Sequence, residues 1–342
     1  MATMDIFQQN AFSMVELTAA INKVPFQPSM LGSLGIFDPR PVRTTTVAVE
    51  EREGKLSLIQ TSERGSPLDQ RKNEKRKIRD FRTSRIATSD RIMADELQNI
   101  RAFGTETEME QVQAEIARRL GGPTGLVRNI ELTHENMRLG AVQGVVTDAD
   151  GSVIYDWFQE FGIAQPDEIN FALGTATTEV RTKCSQVVRQ MLRAAKGAAT
   201  PQTEVHAICG DQFYDMLISH KSVKETYLNY SAAADLRQGA AFESFRFGGI
   251  VFHNYRGTDD GSEVAVDTDK AKFFPVNAPG VFEAVFSPAE TFDFVNTPGQ
   301  RLYSMIIPDL ERNMWADIEA YSYPLFMCTN PGMLQSARAN GS

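Results

Sequence analysis

The sequence lacks the features that would send the chain into or across a membrane. No stretch approaches the roughly 20 consecutive apolar residues of a transmembrane helix. The opening MATMDIFQQNAF has neither the basic cluster nor the apolar run of a secretory signal. The cysteines are few, odd in number and far apart: Cys184, Cys209 and Cys328. Such spacing favours free thiols in a reducing compartment, so we expect synthesis in the cytoplasm and no membrane partner.

Residues that build metal and catalytic sites are also scarce. The four histidines are His134, His206, His220 and His253, and no two have the spacing of metal ligands. Cys209 follows His206 on a predicted strand at a spacing that puts them on opposite faces, and structural zinc needs four ligands. Cys184 with His206 is the remaining nucleophile pair, but both lie in apolar patterns, where a free thiol behaves as a small hydrophobe. We expect no metal, no cofactor and no catalytic residue.

Three further motifs have simpler structural interpretations. The segment 148–151, DADG, lacks the third acid and the distal Glu of a calcium loop, so it indicates a turn. The segment 121–125, GGPTG, is not followed by the Lys-Ser/Thr of a phosphate loop and indicates a helix break. Acid pairs at 50–51 and 259–260 are typical of solvated turns, not of general acids with a raised pKa.

What the sequence does contain is one concentrated basic segment in an acidic chain. The composition, 42% apolar and 9% aromatic over 342 residues, is that of a globular protein, and the net charge is −9. Residues 71–91, RKNEKRKIRDFRTSRIATSDR, carry nine Lys/Arg against three acids. Charge of opposite sign on one chain indicates an element that docks on an acidic surface or on nucleic acid.

Three interpretations of this segment remain open from composition alone: a solvated face, a nucleic-acid contact, and an arm that docks on another subunit. Only Phe81 is available to stack on bases, which disfavours nucleic acid. The neighbouring segments favour docking. Residues 44–60 predict a hairpin that turns at Glu53-Gly54, with a thin apolar face formed by Val47 and Val49 together with the facing leucines. A two-stranded ribbon is marginal alone, so we expect a neighbour to cover this face.

The rest of the chain predicts a mixed α and β organisation without repeats. The first 43 residues indicate a short helix over 13–21 and then an extended apolar arm. We interpret the basic run as the returning limb of a long excursion that starts near Arg43. Helices are predicted from Ser89, over 105–121, over 123–144, over 177–196 with Leu192 inward, and after a cap at Asp211. A hairpin is predicted at 145–158, a buried strand at 204–209, and mainly strands from 245 onward.

At this point the residues themselves resemble a known family. The opening DIFQQNAFSMVELTAAINKVPFQPSMLGSLGIF, the segment RTTTVAVEEREGKLSLIQTSERG and the close MWADIEAYSYPLFMCTNPGMLQSARA resemble the major capsid proteins of tailed bacteriophages of the lambda E type. The resemblance covers nearly the whole chain and is most specific in the first 65 residues.

The resemblance implies an α+β, Hong Kong 97-like capsid fold. Its parts would be an N-terminal arm (1–43), an extended loop (44–88), a peripheral domain with a spine helix (89–165, completed by 301–324) and an axial domain (166–300, completed by 325–342). The spine helix corresponds to 123–144.

The implied role is structural, not enzymatic. Subunits would form the hexamers and pentamers of an icosahedral shell around double-stranded DNA, in the virion after assembly in the host cytoplasm. Implied partners are further copies, a portal and a scaffolding protein. Some relatives join a Lys to an Asn covalently, but no such motif is found here, so we expect a decoration protein instead. The alternative is a cytoplasmic nucleic-acid-binding protein that uses 71–91. The predicted intersubunit contacts are Arg71, Lys72, Lys75, Arg76, Lys77, Arg79, Arg82 and Arg85.

Overall fold

The computed structural model describes residues 30–52, 76–99, 108–122, 124–195, 197–228, 244–255, 264–312 and 314–341. The α-helices are α1 Met30–Ser33, α2 Ala94–Asn99, α3 Glu108–Gly121, α4 Leu126–Gln143, α5 Trp157–Phe161, α6 Val180–Ala194, α7 Asp211–Ser219 and α8 Lys221–Leu228. The strands are β1 Asp38–Pro41, β2 Thr46–Arg52, β3 Arg76–Arg82, β4 Ile86–Met93, β5 Val145–Thr147, β6 Val153–Asp156, β7 Ile169–Asn170, β8 Glu204–Cys209, β9 Phe245–Phe247, β10 Ile250–Asn254, β11 Lys270–Val276, β12 Phe282–Phe286, β13 Tyr303–Pro308, β14 Trp315–Ser322, β15 Pro324–Cys328 and β16 Gln335–Arg338.

The largest sheet has six strands in the order β7-β16-β11-β8-β10-β9. Strand β8 lies at its centre, parallel to β10 and antiparallel to β11. Five of the six residues of β8 are buried, as expected for a central strand covered on both faces. Helix α6 packs beside this sheet, and Gly248 has no room for a Cβ because the side chain of Cys184 occupies that space.

Two three-stranded sheets complete the body. In one, β14 lies between β13 and β4, and its burial alternates along all eight residues, the pattern of a strand with one buried face. In the other, β12 lies between β15 and β1. Strand β1 runs parallel to β12, so the end of the predicted N-terminal arm is built into a sheet of its own subunit.

Helix α4, called the spine helix below, runs for 18 residues as its apolar stripe predicts. It ends at Gly144, which has a φ of +89° and donates its amide to the carbonyl of Ala141. Most residues avoid this left-handed conformation, so glycine suits the position. A two-stranded hairpin of β5 and β6 follows, as predicted. Helix α3 ends at Gly121, also as predicted.

Strand β2 pairs with β3, which belongs to the returning basic limb, and the predicted partner strand after Glu53 lies outside the described residues. Three predictions of local structure are wrong. Residues 89–93, predicted as the start of a helix, belong instead to strand β4, which pairs with β14, and the helix begins only at Ala94. Leu192 is half exposed. Helix α7 begins at Asp211, so Gly210 takes the capping position. The predicted helix over 13–21 lies outside the described residues.

Candidate assembly site at the base of the extended loop

The extended loop begins as a two-stranded ribbon that packs on the body of its own subunit. The register of β2 and β3 places Val47 opposite Phe81, and both side chains are buried. The Phe81 ring meets Trp157 edge-on with ring centroids 5.3 Å apart, and meets Tyr155 at 5.8 Å. Such aromatic pairs contribute about 0.5–1.5 kcal/mol each beyond burial. At this end of the ribbon, the expectation that a neighbour covers the apolar face is therefore wrong.

Hydrogen bonds fix the ends of the ribbon to the body. The Tyr155 hydroxyl accepts from the Arg82 amide at 2.9 Å and donates to the Arg82 carbonyl at 2.9 Å. The Thr83 hydroxyl lies 3.0 Å from Ser287 Oγ and donates to it. Ser287 Oγ in turn donates to the carbonyl of Thr44 at 2.8 Å. Both strands of the ribbon are thus held where they leave the body, which fixes the direction of β2 and β3 at this end.

The eight predicted contact residues do not all have the same environment. Arg71, Lys72 and Lys75 lie outside the described residues, and Arg76 and Lys77 begin strand β3. The others lie in the described part of the limb: Arg79, Arg82 and Arg85.

Two of these arginines support their own subunit. The Arg79 guanidinium lies 5.6 Å from the centroid of the Phe161 ring. The Arg85 Nε donates to Glu290 at 2.8 Å, and this hydrogen bond raises the pKa of Arg85. Arg82 is exposed, and its bonds to Tyr155 use only the backbone. Of the described members of the set, Arg82 is the one whose side chain is best placed to meet another molecule.

A buried carboxylate joins the end of the N-terminal arm to the spine helix. The Leu31 amide donates to Glu135 Oε1 at 2.8 Å, and the Gly32 amide donates to Oε2 at 3.3 Å. Arg138 Nη1 donates to the same Oε2 at 3.4 Å. Because hydrogen bonds to a charged group are stronger than those between neutral groups, this junction holds the arm firmly.

A second buried network joins the spine helix to β14. Arg301 Nη1 lies 2.5 Å from Glu131 Oε1. Ser322 Oγ donates its one proton to the Arg301 carbonyl at 2.7 Å, so His134 Nε2, 2.9 Å away, must be the donor to Ser322. Burial lowers the pKa of His134 well below 6.5, which favours the neutral ring with its proton on Nε2. Burial also raises the pKa of Glu131, against the opposing effect of Arg301.

The cysteines do not have the environment of nucleophiles. All three are buried, and burial raises the pKa of Cys184 and of Cys328 to about 12. A reactive cysteine needs the opposite shift. His206 contacts His253 and Glu204 rather than Cys184, so the nucleophile pair considered from the sequence is not formed.

The pairing of His206 with His253 is a contact that sequence reasoning missed. Nδ1 of His206 lies 2.9 Å from Nε2 of His253, and the rings stack with centroids 5.1 Å apart. The residues are 47 positions apart, and only the parallel pairing of β8 with β10 brings them together. No group of three metal-ligating side chains occurs among the described residues. In the same part of the chain, no helix is long and apolar enough to span a bilayer.

Solved phage capsid subunits share the overall fold of this chain. The capsid subunit of bacteriophage PhiM1, in its mature capsid, aligns with a TM-score of 0.52 and 14% identity, covering 93% of this chain and 89% of that one. The fold is therefore the α+β, Hong Kong 97-like fold of capsid proteins.

The sequence comparisons identify the family. The major capsid protein of Pseudomonas phage KPP10 is 28% identical over 315 residues, which cover 86% of this chain and 88% of the relative. That of Salmonella phage Felix O1 is 24% identical, with coverage of 97% and 98%. The family model for phage major capsid protein E matches residues 13–339. The chain belongs to this family, and it is a structural subunit of an icosahedral phage capsid.

Proposed function

We propose that the chain forms the hexamers and pentamers of a phage head that encloses double-stranded DNA, and that it has no enzymatic activity. The observation that carries this proposal is the match of the capsid family model to residues 13–339. The alternative of a cytoplasmic protein that binds nucleic acid through residues 71–91 is not favoured, because it leaves this match unexplained.

The extended loop is the proposed contact with the next subunit. Its base is fixed to the body through Tyr155, Thr83 and Ser287, so strands β2 and β3 leave the body in a defined direction. Since Arg79 and Arg85 already contact their own subunit, the intersubunit role falls mainly on the other six members of the basic limb. In a chain with a net charge of −9, an acidic surface on the neighbour is a suitable partner for them.

The domain boundaries of the sequence analysis remain a proposal that the sheet composition supports. Every strand of the six-stranded sheet falls within 166–300 or 325–342, the proposed axial domain. Strands β13 and β14 fall within 301–324, the part proposed to complete the peripheral domain. Assembly in the host cytoplasm, with a portal, a separate scaffolding protein and a decoration protein, belongs to the same proposal.

Electron microscopy of the chain, expressed alone and with its scaffolding protein, tests the shell function. Closed shells or hexameric rings are the expected result, and a uniform small oligomer under both conditions would contradict it.

A charge-reversal variant tests the loop contact. The variant combines R71E, K72E, K75E and R82E, and it should remain folded but form no shells, because reversed charge repels an acidic partner. The matched control is R85Q, which removes the contact with Glu290 within the subunit. Normal shells from the fourfold variant would refute the loop proposal while leaving the shell function intact.

A further inference from the structure

The exposed face of helix α6 carries positive charge that no described residue neutralises. The helix contains no acid and four basic residues: Arg181, Lys183, Arg189 and Arg193. Among the described residues, none of these four side chains forms an ion pair or a side-chain hydrogen bond. Several arginines elsewhere in the subunit are paired, as Arg40 is with Glu283 and Arg246 is with Glu204. In a chain of net charge −9, such a face indicates an anionic partner.

The geometry of the helix gathers this charge on one side. Val180, Cys184, Val187 and Met191 are buried against the core. The arginines at 181, 189 and 193 are exposed and lie on one inclined row of residues spaced four apart. The row is about 18 Å long at 1.5 Å per residue. A shallow depression follows this face. Its lining includes one acid, Glu179 at the N-terminal end, and between the arginines the polar side chains Thr182, Ser185, Gln186 and Gln190.

We propose that this basic face contacts the phosphate backbone of the double-stranded DNA inside the shell; this inference rests on the proposed DNA-enclosing function. Each strand of B-DNA presents a phosphate about every 3.4 Å along the axis, so the row passes about five phosphates. Arginine binds phosphate through two parallel hydrogen bonds. Hydroxyl and amide side chains, such as those between the arginines, are common phosphate donors. The contact needs no base sequence, which suits a shell that encloses a whole genome.

The composition of the face argues against other anionic partners. Protein interfaces have apolar centres rich in aromatic residues, whereas α6 has no aromatic residue, and its one large apolar side chain that is mainly exposed is Leu192. Single-stranded nucleic acid is usually held by stacking of bases on aromatic rings, which this helix does not offer. A duplex bound through its phosphates fits the residues that are present.

The first test measures DNA binding by the unassembled full-length subunit. The variant R189Q/R193Q removes two charges from the face, and its matched control K221Q/K224Q removes two from the exposed helix α8. Glutamine keeps nearly the helix propensity of arginine and lysine. Fluorescence anisotropy of a labelled duplex of about 30 base pairs measures the binding constant from about 50 to 200 mM NaCl. The salt slope is the slope of the logarithm of this constant against the logarithm of the salt concentration, and the loss of two phosphate contacts should make it shallower by about 1.8. The control should keep the wild-type slope.

The second test uses assembled particles. R189Q/R193Q should form shells of normal size, but its DNA-filled particles should release DNA at a lower temperature than wild type or K221Q/K224Q. An unchanged salt slope together with unchanged DNA release would overturn the proposal. So would a variant that binds DNA normally but loses binding to poly-glutamate, because that result indicates an acidic protein partner. Failure of the wild-type chain to form shells would instead overturn the shell function, so the two failures are distinguishable.

Discussion

The hydroxyl of Tyr155 bonds both the amide and the carbonyl of Arg82, each at 2.9 Å. Arg82 is the last residue of β3 and lies opposite Thr46 of β2, yet its polar backbone groups face away from that strand. The Tyr155 hydroxyl therefore takes the place of a third strand at the edge of the ribbon. Free strand edges are prone to pair with other chains, so this bond also protects the loop base from incorrect pairing.

Substitution Tyr155→Phe should loosen the base of the loop without unfolding the body. It removes two hydrogen bonds, at a cost of about 1–3 kcal/mol, but keeps the ring that packs against Phe81. Hydrogen exchange should accelerate in β2 and β3. The control Tyr321→Phe removes a hydroxyl that bonds Glu319 in another sheet and should leave this exchange unchanged. Wild-type exchange in both strands of Tyr155→Phe would contradict the proposed role.

Substitution Gly144→Ala should destabilise the subunit by about 3 kcal/mol, from a strained left-handed backbone and from overpacking. Gly144 has a φ of +89°, and a Cβ there would overlap the ring of Phe158. Gly151 provides a close control, because its φ is +82° but no atom lies within 4 Å of the position that an added Cβ would occupy. Gly151→Ala should cost only about 1 kcal/mol. Urea unfolding of the unassembled subunits gives both values, and equal losses would show that the Phe158 contact is unimportant.

Elements set by local pattern could be predicted from the sequence, whereas strand partners could not. The spine helix follows from its apolar stripe, and its end follows from the glycine at position 144, which takes a positive φ in the structure. The pairing of β2 with β3 depends on a partner about 30 residues away, and the 86–93 strand depends on β14, more than 200 residues away. Helical spacing was therefore misleading at 89–93, where long-range sheet pairing stabilises a strand, but it correctly predicted the helix at 94–99.

In the candidate site, too, local features could be predicted from the sequence and contacts with distant residues could not. Charge alone located the basic limb, and its neighbouring segments, together with the family resemblance, suggested a docking role. The internal contacts of Arg79 and Arg85 could not be predicted, because their partners Phe161 and Glu290 are distant in sequence. The basic face of α6 was visible in the sequence only as a helix with an apolar stripe; its significance depends on the absence of described acidic partners, which only the fold reveals.

Substitution Arg119→Gln should lower the free energy of unfolding by about 2–3 kcal/mol, since it breaks the buried ion pair with Glu115 and two half-exposed ones. The guanidinium donates to Glu115 at 2.7 Å, to Glu96 at 2.5 Å and to Asp90 at 3.1 Å, and so joins α3 to β4 and α2. The matched control is Arg118→Gln. Arg118 makes the largest contribution to lowering the pKa of Glu115 to about 2, but its side chain is 62% exposed, so the loss should stay below about 1 kcal/mol.

Thermal or urea unfolding of the two variants measures this difference. The stabilisation from Glu115 should be present above pH 4.5 and should disappear as the pH falls toward 2, because the folded state holds this carboxylate charged. Equal losses in Arg119→Gln and Arg118→Gln would refute the network's role.

Acidification should destabilise the subunit through the pair of His206 and His253. Burial, and then the neighbouring ring of His206, lowers the pKa of His253 to about 4 from 6.5, and burial also lowers that of His206 despite Glu204. Between pH 6.5 and 4 the unfolded chain therefore binds protons that the folded chain does not, so the free energy of unfolding falls as the pH falls. One such group contributes at most about 1.36 kcal/mol per pH unit.

His253→Gln should make this pH dependence less steep. Above about pH 7, where neither imidazole titrates, a plot of its free energy of unfolding against pH should run parallel to that of the wild type. Equal slopes below pH 6.5 would show that His253 takes up its proton equally in the folded and unfolded states.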